Sequence, residues 1–60
     1  MIPDLIFTGD VKINRVDGTW FEADEVELYD RHIICIWHDP VKYLCLNRIH
    51  VKSIEAKERR

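Results

Sequence analysis

The chain has 60 residues, of which 47% are hydrophobic and 33% are charged, and its formal charge at pH 7 is -2. This composition excludes a disordered segment, and the length leaves room for one thin core, so we expect a single domain over residues 1–60. A core this small usually needs further stabilisation, and self-association is one source of it, so we expect a homo-oligomer. Because the net charge is slightly negative, any binding of nucleic acid has to come from a local basic patch.

The chain begins without a basic leader followed by an apolar run, and no window approaches the ~20 apolar residues of a membrane span. We therefore expect a cytoplasmic protein with no membrane contact. Cys35 and Cys45 lack the spacing of a secreted disulfide framework, so reduced thiols are expected.

The first predicted strand covers residues 5–16, where Val11 and Ile13 alternate with polar residues. Asp17-Gly18 follows, and an Asp-Gly pair between alternating apolar runs is the strongest short signal for a hairpin. The second strand is expected to begin at Thr19.

Within the second strand the apolar positions change parity. Phe21 and Ala23 are odd, whereas Val26 and Leu28 are even. A slip of one residue turns side chains to the wrong face unless a bulge absorbs it, so we predict a bulge near Asp24-Glu25 that bends this strand around a barrel corner.

The third and fourth strands are predicted at residues 33–37 and 42–46, and they form a hairpin with apolar residues on both faces. Pro40 places the turn between them, because proline does not fit inside a central strand. A barrel of 60 residues has only one interior, so the second apolar face is expected to meet a neighbouring subunit. Trp37, Tyr43, Cys45 and Val51 are the candidate interface residues.

Residues 47–49 are predicted to form a short turn, with a 3₁₀ helix as one form of it, before a fifth strand at residues 50–55 and a charged tail at residues 56–60. One C-terminal helix from Asn47 onward is the alternative. The fold class that follows is all-β: a small, strongly bent, five-stranded barrel of the SH3-like or Sm-like type, with its core in residues 5–55 and no or minimal helix.

Several segments in this order resemble the Sm-like and Hfq family. They are Val11 to Ile13, Asp17-Gly18, Tyr29-Asp30-Arg31-His32, the apolar run at residues 33–37, and Leu46-Asn47-Arg48-Ile49-His50-Val51. The resemblance covers roughly residues 9–55 and implies a five-stranded barrel with a bent second strand. It further implies a ring of identical subunits, joined between the fourth and fifth strands, that binds uridine-rich or adenine-rich RNA.

At the matching positions the resemblance implies that Arg31 and His32 lie in the turn before the third strand, with Asn47 and Arg48 in a turn that faces the pore. Bases would stack on His32, as in other proteins that read single strands. Lys52 completes the set of candidate RNA-binding residues if the fold brings it near the two arginines. A weaker resemblance, to the carbon storage regulator family, rests on Leu5-Ile6-Phe7-Thr8, Pro40 and Ile54-Glu55-Ala56.

A zinc hypothesis arises from the residue types that zinc prefers, which occur at His32, Cys35, His38, Cys45 and His50. Strand alternation argues against it, because ligands on one strand then point to opposite faces. If the turn after the third strand has three residues, Cys35 and Cys45 lie opposite each other and could form a disulfide, although two reduced buried thiols are preferred. We expect no metal and no cofactor.

Catalysis is not expected. The carboxylates of Asp24, Glu25 and Glu27 cluster at the predicted bend, where they are typical of a solvated acidic edge that prevents unwanted strand pairing. Sixty residues also leave little room for a concave active site. The leading functional hypothesis is a non-enzymatic, Sm-like, RNA-binding regulator that acts as a homo-oligomer. The alternative is an SH3-like protein-interaction or assembly module without nucleic-acid binding.

Overall fold

The structure is a computed structural model that describes residues 2–59, with side chains described for residues 2–57. Its elements, in chain order, are β1 (Leu5–Arg15), β2 (Trp20–Leu28), β3 (His32–Trp37), β4 (Lys42–Asn47), a 3₁₀ turn (Arg48–His50), β5 (Val51–Glu55) and the two-residue β6 (Glu58–Arg59). The predicted all-β class and the five principal strands are confirmed.

All strand pairs are antiparallel, and the strands lie in the order β4-β3-β2-β1-β5, with β6 pairing β1 beyond β5. The smallest dimension of the molecule is 20 Å. A flat single sheet would be only about 10 Å thick, so this sheet is strongly curled. The expected closure into a full barrel is absent, because no backbone ladder joins β4 to β5 in the part of the chain that the structure describes.

The bend of the sheet comes from a bulge in β1. Thr8 pairs with Glu25 and Val11 pairs with Ala23, so Gly9 and Asp10 together oppose Asp24. Both bulge residues have positive φ, 78° at the glycine and 57° at the aspartate. The bulge therefore lies opposite Asp24, close to where it was predicted, but it is in β1 and not in β2.

The first hairpin has the expected turn chemistry. Gly18 has φ 91°, its N–H donates to the carbonyl of Arg15, and Thr19 accepts a bond from the Arg15 N–H. This pattern is a three-residue loop in which glycine takes the left-handed position. The hydroxyl and N–H of Thr19 donate to Asp17, which holds the pKa of that carboxyl below its ordinary value.

The core lies on the concave side of the curled sheet. Its fully buried centre consists of Val11, Ile13, Val26, Ile33 and Cys35, each 0% exposed. Half-buried side chains from β5 and the chain after it, Val51, Ile54 and Ala56, pack against this cluster. The thin single core predicted from chain length is therefore assembled from both halves of the sheet.

The hairpin of β3 and β4 has a four-residue connection, because Trp37 pairs with Lys42. Cys45 then pairs with Ile34, while Cys35 pairs with Leu44. The expectation that the two cysteines lie opposite each other is wrong, since one additional loop residue shifts the register by one and turns the thiols to opposite faces. Both are free; Cys35 is buried, and Cys45 is exposed rather than buried as expected.

The C-terminal part contains one 3₁₀ turn and two strands, so the alternative of a helix from Asn47 onward is wrong. The segment that we treated as a charged tail contains β6, which pairs with Phe7 and Thr8 of β1. Among the described residues, no helix has the length and apolar character to cross a membrane.

Candidate functional site

The fold brings four of the five candidate RNA-binding residues to one end of the β3–β4 hairpin. His32 pairs directly with Asn47 across the two strands. One residue further out, the Arg48 N–H donates to the carbonyl of Arg31 over 3.0 Å. Residues that are 15 and 17 positions apart in the sequence thus become neighbours at the open end of this hairpin, which we call the basic end.

Arg48 spans two turns at the basic end. Its Nη1 donates to the carbonyl oxygens of Tyr29, over 2.9 Å, and Asp30, over 3.2 Å. The guanidinium therefore fixes the turn between β2 and β3 to the 3₁₀ turn that follows β4. Asn47 is also structurally engaged, since its Oδ1 accepts from the Ile49 N–H and caps the 3₁₀ turn.

An aromatic pair lies in the same turn. The rings of Tyr29 and His32 stack with centroids 4.7 Å apart and planes within 11°. The Tyr29 hydroxyl donates to Glu27 over 2.8 Å, and this bond to a carboxylate raises the pKa of the phenol. The sequence analysis selected His32 but missed Tyr29, although the tyrosine begins the same segment, Tyr29-Asp30-Arg31-His32.

The remaining cations of the basic end are in solvent. The Arg31 side chain is 92% exposed, and its one charged neighbour among the described residues is Asp30, at 4.0 Å. An ion pair this exposed contributes little, so the guanidinium stays available to another anion. Lys52 is exposed on β5 and lines a cleft together with Arg48.

That cleft has a volume of about 310 Å³. It is lined by Phe7 of β1, Leu28 of β2 and Ile33 of β3, together with Arg48 and residues 51–54 of β5. Phe7 and Ile33 at this cleft are buried core residues, so what it presents to solvent comes mainly from its other lining residues.

The four candidate interface residues divide into two pairs. Trp37 and Val51 are half-buried and pack against the core, and the Trp37 indole donates to the carbonyl of Glu22 over 2.8 Å. Tyr43 and Cys45 are exposed on β4, the tyrosine to 70%. Only the second pair is therefore available to a partner without repacking the core.

β4 is an apolar edge strand. One side pairs with β3, and the other side is unpaired in the described part of the chain. The side chains of Tyr43, Leu44 and Cys45 are exposed, and no charged residue interrupts the run to Leu46. Lys42 is the one charged residue of β4, and the run from Tyr43 to Leu46 that follows it has neither charge nor proline, which makes an edge strand prone to pair with another chain.

The opposite end of the hairpin is acidic. His38 donates its N–H to Asp24 over 2.7 Å, and its Nε2 lies 3.7 Å from a carboxylate oxygen of Glu25. Asp39 adds a third carboxylate to this end. The two ends are separated by five residues of β3, or about 17 Å, so the chain has a polarised charge distribution despite its small net charge.

Chemistry at the two cysteines differs with burial. Loss of solvent raises the pKa of the Cys35 thiol to about 11, and the nearby Cys45 adds to the effect. A thiol of this kind is a poor nucleophile at neutral pH, since the thiolate is the reactive form. Among the described residues, no three His, Cys, Asp or Glu side chains come together in a way that could hold a metal ion.

Comparison of the chain with protein-family models, with curated proteins and with solved structures found no match.

Proposed function

We propose that this chain is a non-enzymatic, Sm-like protein of the cytoplasm that binds single-stranded RNA and acts as a homo-oligomeric regulator. The observation that carries the proposal is the convergence of Arg31, His32, Asn47 and Arg48 at the basic end, where the register of β3 and β4 makes them neighbours. Lys52 lines the same cleft as Arg48 and adds a second positive charge there.

The chemistry of the basic end suits a single strand better than a duplex. Readers of single-stranded RNA combine an aromatic surface for an unstacked base with cations for the backbone. The stacked rings of Tyr29 and His32 supply the first element, and Arg31 supplies an exposed cation two residues from the tyrosine. Arg48 retains Nε and Nη2 for a phosphate while Nη1 holds the turn.

Self-association follows from the edge of β4. A second copy that pairs along this strand would satisfy its unpaired backbone groups and cover Tyr43 and Leu44. The polarised charge also favours a head-to-tail contact, because the acidic end of one copy attracts the basic end of the next. A head-to-tail contact between identical chains closes into a ring when its rotation permits.

The test is a binding titration of the full chain with fluorescent oligo-U and oligo-A at several salt concentrations. Three phosphate contacts, from Arg31, Arg48 and Lys52, predict a slope of log K against log salt of about -2, or roughly a 20-fold loss between 50 and 200 mM salt. No detectable binding at low salt excludes the RNA function.

A charge-matched pair of variants locates the site. Arg31→Ala should weaken binding and reduce the salt slope by about 0.7, the contribution of one phosphate contact to a single strand. Lys42→Ala removes an equal charge about 17 Å away at the other end of the hairpin, so it should leave the affinity unchanged. Equal loss in both variants means that the attraction is diffuse and that the basic end is not the site.

A protein-interaction module without RNA binding is the second candidate function, and the exposed apolar edge of β4 favours it. Strand addition by an extended peptide uses the same unpaired backbone groups. The two functions are distinguished by salt: peptide pairing along β4 changes little with ionic strength, whereas RNA binding falls steeply.

A further inference from the structure

A pocket of about 260 Å³ lies at the acidic end of the β3–β4 hairpin, and we call it the tip pocket. Its lining consists of the half-buried Trp37 and four exposed residues, His38, Asp39, Pro40 and Lys42. The surface that this lining presents to solvent is mainly apolar. The tip pocket therefore offers an accessible apolar hole at the end of the molecule opposite the basic end.

The indole wall of the tip pocket is held in place by the chain itself. The Trp37 ring contacts the Phe21 ring with centroids 5.9 Å apart, and its N–H donates to the carbonyl of Glu22 over 2.8 Å. These two contacts fix the indole in one orientation. A preformed wall favours binding, because little side-chain entropy remains to be lost when a partner arrives.

The surroundings of the tip pocket are negatively charged. Asp39 belongs to the lining, and Asp24 accepts the N–H of His38 over 2.7 Å. A carboxylate oxygen of Glu25 lies 3.7 Å from Nε2 of the same histidine. Lys42 is the one lysine or arginine among the described residues of the lining. This balance disfavours an anionic ligand and favours a partner that brings its own cations.

The basic end carries an apolar side chain beside its cations. Ile49 is 74% exposed and directly follows Arg48 in the 3₁₀ turn. Its N–H donates to Oδ1 of Asn47 over 3.1 Å, which fixes its backbone, and a β-branched side chain has few rotamers to lose. The exposed guanidinium of Arg31 belongs to the same end, because the Arg48 N–H donates to the Arg31 carbonyl over 3.0 Å.

We propose that Ile49 of one copy docks into the tip pocket of the next copy, which brings Arg31 against the carboxylates of the acidic end. The inference rests on the homo-oligomer of the proposed function and names the residues of its head-to-tail contact; it does not depend on RNA binding. An exposed apolar side chain that fits a pocket elsewhere on the same molecule produces a contact of this kind, which closes into a ring or extends into a filament.

The size of the molecule sets the strength of this contact. The chain measures only 27 by 24 by 20 Å, so an end-to-end contact buries less than about 1,200 Å², which is typical of weak and transient complexes. A method that detects weak binding at high protein concentration is therefore required.

The experiment is a dilution series of the ¹⁵N-labelled full chain, followed by NMR. The indole N–H of Trp37 and the amide of Ile49 should shift together along one binding curve, because each lies at one side of the contact. The amide of Val26, in the fully buried centre of the core, should stay in place. Added salt should raise the dissociation constant, since charges at both ends are exposed to screening.

Two substitutions at one position measure the contribution of the side chain. Ile49→Val removes one methylene and should weaken the contact about fourfold, whereas Ile49→Ser removes most of the apolar surface and should weaken it at least about tenfold. Both variants should remain folded, because the position is 74% exposed. Tyr43→Lys opposes strand pairing along β4 and should retain the shift of the Trp37 indole.

An unmoved Trp37 indole in the parent chain overturns the proposal, and so does the same binding curve for the parent and Ile49→Ser. Loss of the Trp37 shift in Tyr43→Lys also overturns it, because the shift then comes from strand pairing along β4. Failure here is distinguishable from failure of the proposed function: a parent chain that still pairs along β4 but shows no Trp37 shift loses only the end-to-end contact.

Discussion

The Arg48 guanidinium holds the turn that presents His32, because its Nη1 donates to the carbonyl oxygen of Tyr29 over 2.9 Å. Tyr29 in turn stacks on His32, and its own N–H donates to the carbonyl of that histidine over 2.9 Å. One cation therefore holds the aromatic pair in place and also lines the cleft that it shares with Lys52. Removing it disturbs the fold and the candidate site together.

We expect Arg48→Ala to lower the free energy of unfolding by about 1 to 2 kcal/mol, because two carbonyl groups lose a charged donor in a solvated setting. Arg48→Lys should lose less stability, since an ammonium retains one of the two bonds. Chemical denaturation measures both. Arg31→Ala is the control, and its change should stay within about 0.5 kcal/mol, as its side chain is 92% exposed. Equal stability of the three variants contradicts a structural role for Arg48.

The five strands were predictable from the sequence, but the strand that holds the bulge was not. The change of parity between Ala23 and Val26 indicated that the sheet bends at Asp24. Parity shows on which face a side chain lies, but it does not show which strand of a pair holds the additional residue. The informative signal was Gly9, since a glycine inside a strand pattern marks a bulge.

The candidate site was also predictable from the sequence only in part. A strand pair joined by a short turn brings its distant ends together, so the neighbourhood of His32 and Asn47 follows from pairing alone. The hydrogen bonds of Arg48 depend on where two turns meet in space, which no local pattern specifies. The register of the cysteines depended on a single loop residue, and the pattern around Pro40 allows either length.

The turn between β1 and β2 contains a position where replacing glycine should lower stability through the backbone alone. Gly18 has φ 91°, and a Cβ added there would have no heavy atom within 4 Å. Gly18→Ala should therefore destabilise by about 1 kcal/mol through backbone strain alone. Gly18→Asn should cost less, because asparagine tolerates the left-handed region better than alanine. Thermal unfolding of the three proteins checks this order, and an unchanged midpoint in Gly18→Ala contradicts the turn geometry.

Cys35 predicts a loss of stability at alkaline pH. Its folded pKa of about 11 lies above the ordinary value of 9.0, because burial disfavours the thiolate. The unfolded state therefore releases its proton first, and stability that is complete below pH 9 is lost as pH rises toward 11. Two pKa units correspond to about 2 to 3 kcal/mol.

Urea unfolding between pH 8 and pH 11 measures this effect as a difference between variants. Cys35→Ala should be less stable at pH 8, since it leaves a cavity, but its stability should fall less with pH. Cys45→Ser is the matched control and should keep the steep alkaline loss of the parent chain. Parallel curves for the parent and Cys35→Ala exclude this thiol as the source.

The exposed edge of β4 gives the sharpest test of self-association. Tyr43→Lys places a charge on a strand that has only apolar residues from Tyr43 to Leu46, and charge on an edge strand opposes pairing. Because Tyr43 is 70% exposed, the folded monomer should lose no more than about 0.5 kcal/mol. Sedimentation velocity should therefore show an oligomer for the parent chain and a folded monomer for the variant. Lys42→Glu, one residue earlier, exchanges one charge for another and serves as the control for surface charge.

The thiol of Cys45 reports on the same edge without any mutation. It is exposed in the single chain, so a thiol reagent should label it rapidly at low protein concentration. If copies pair along β4, labelling slows as concentration rises, and the midpoint of that change gives the dissociation constant of the contact. Tyr43→Lys should then label at the rapid rate at every concentration. If the parent chain is also labelled rapidly at every concentration and sediments as a monomer, no second copy pairs along β4. That result rules out the homo-oligomer.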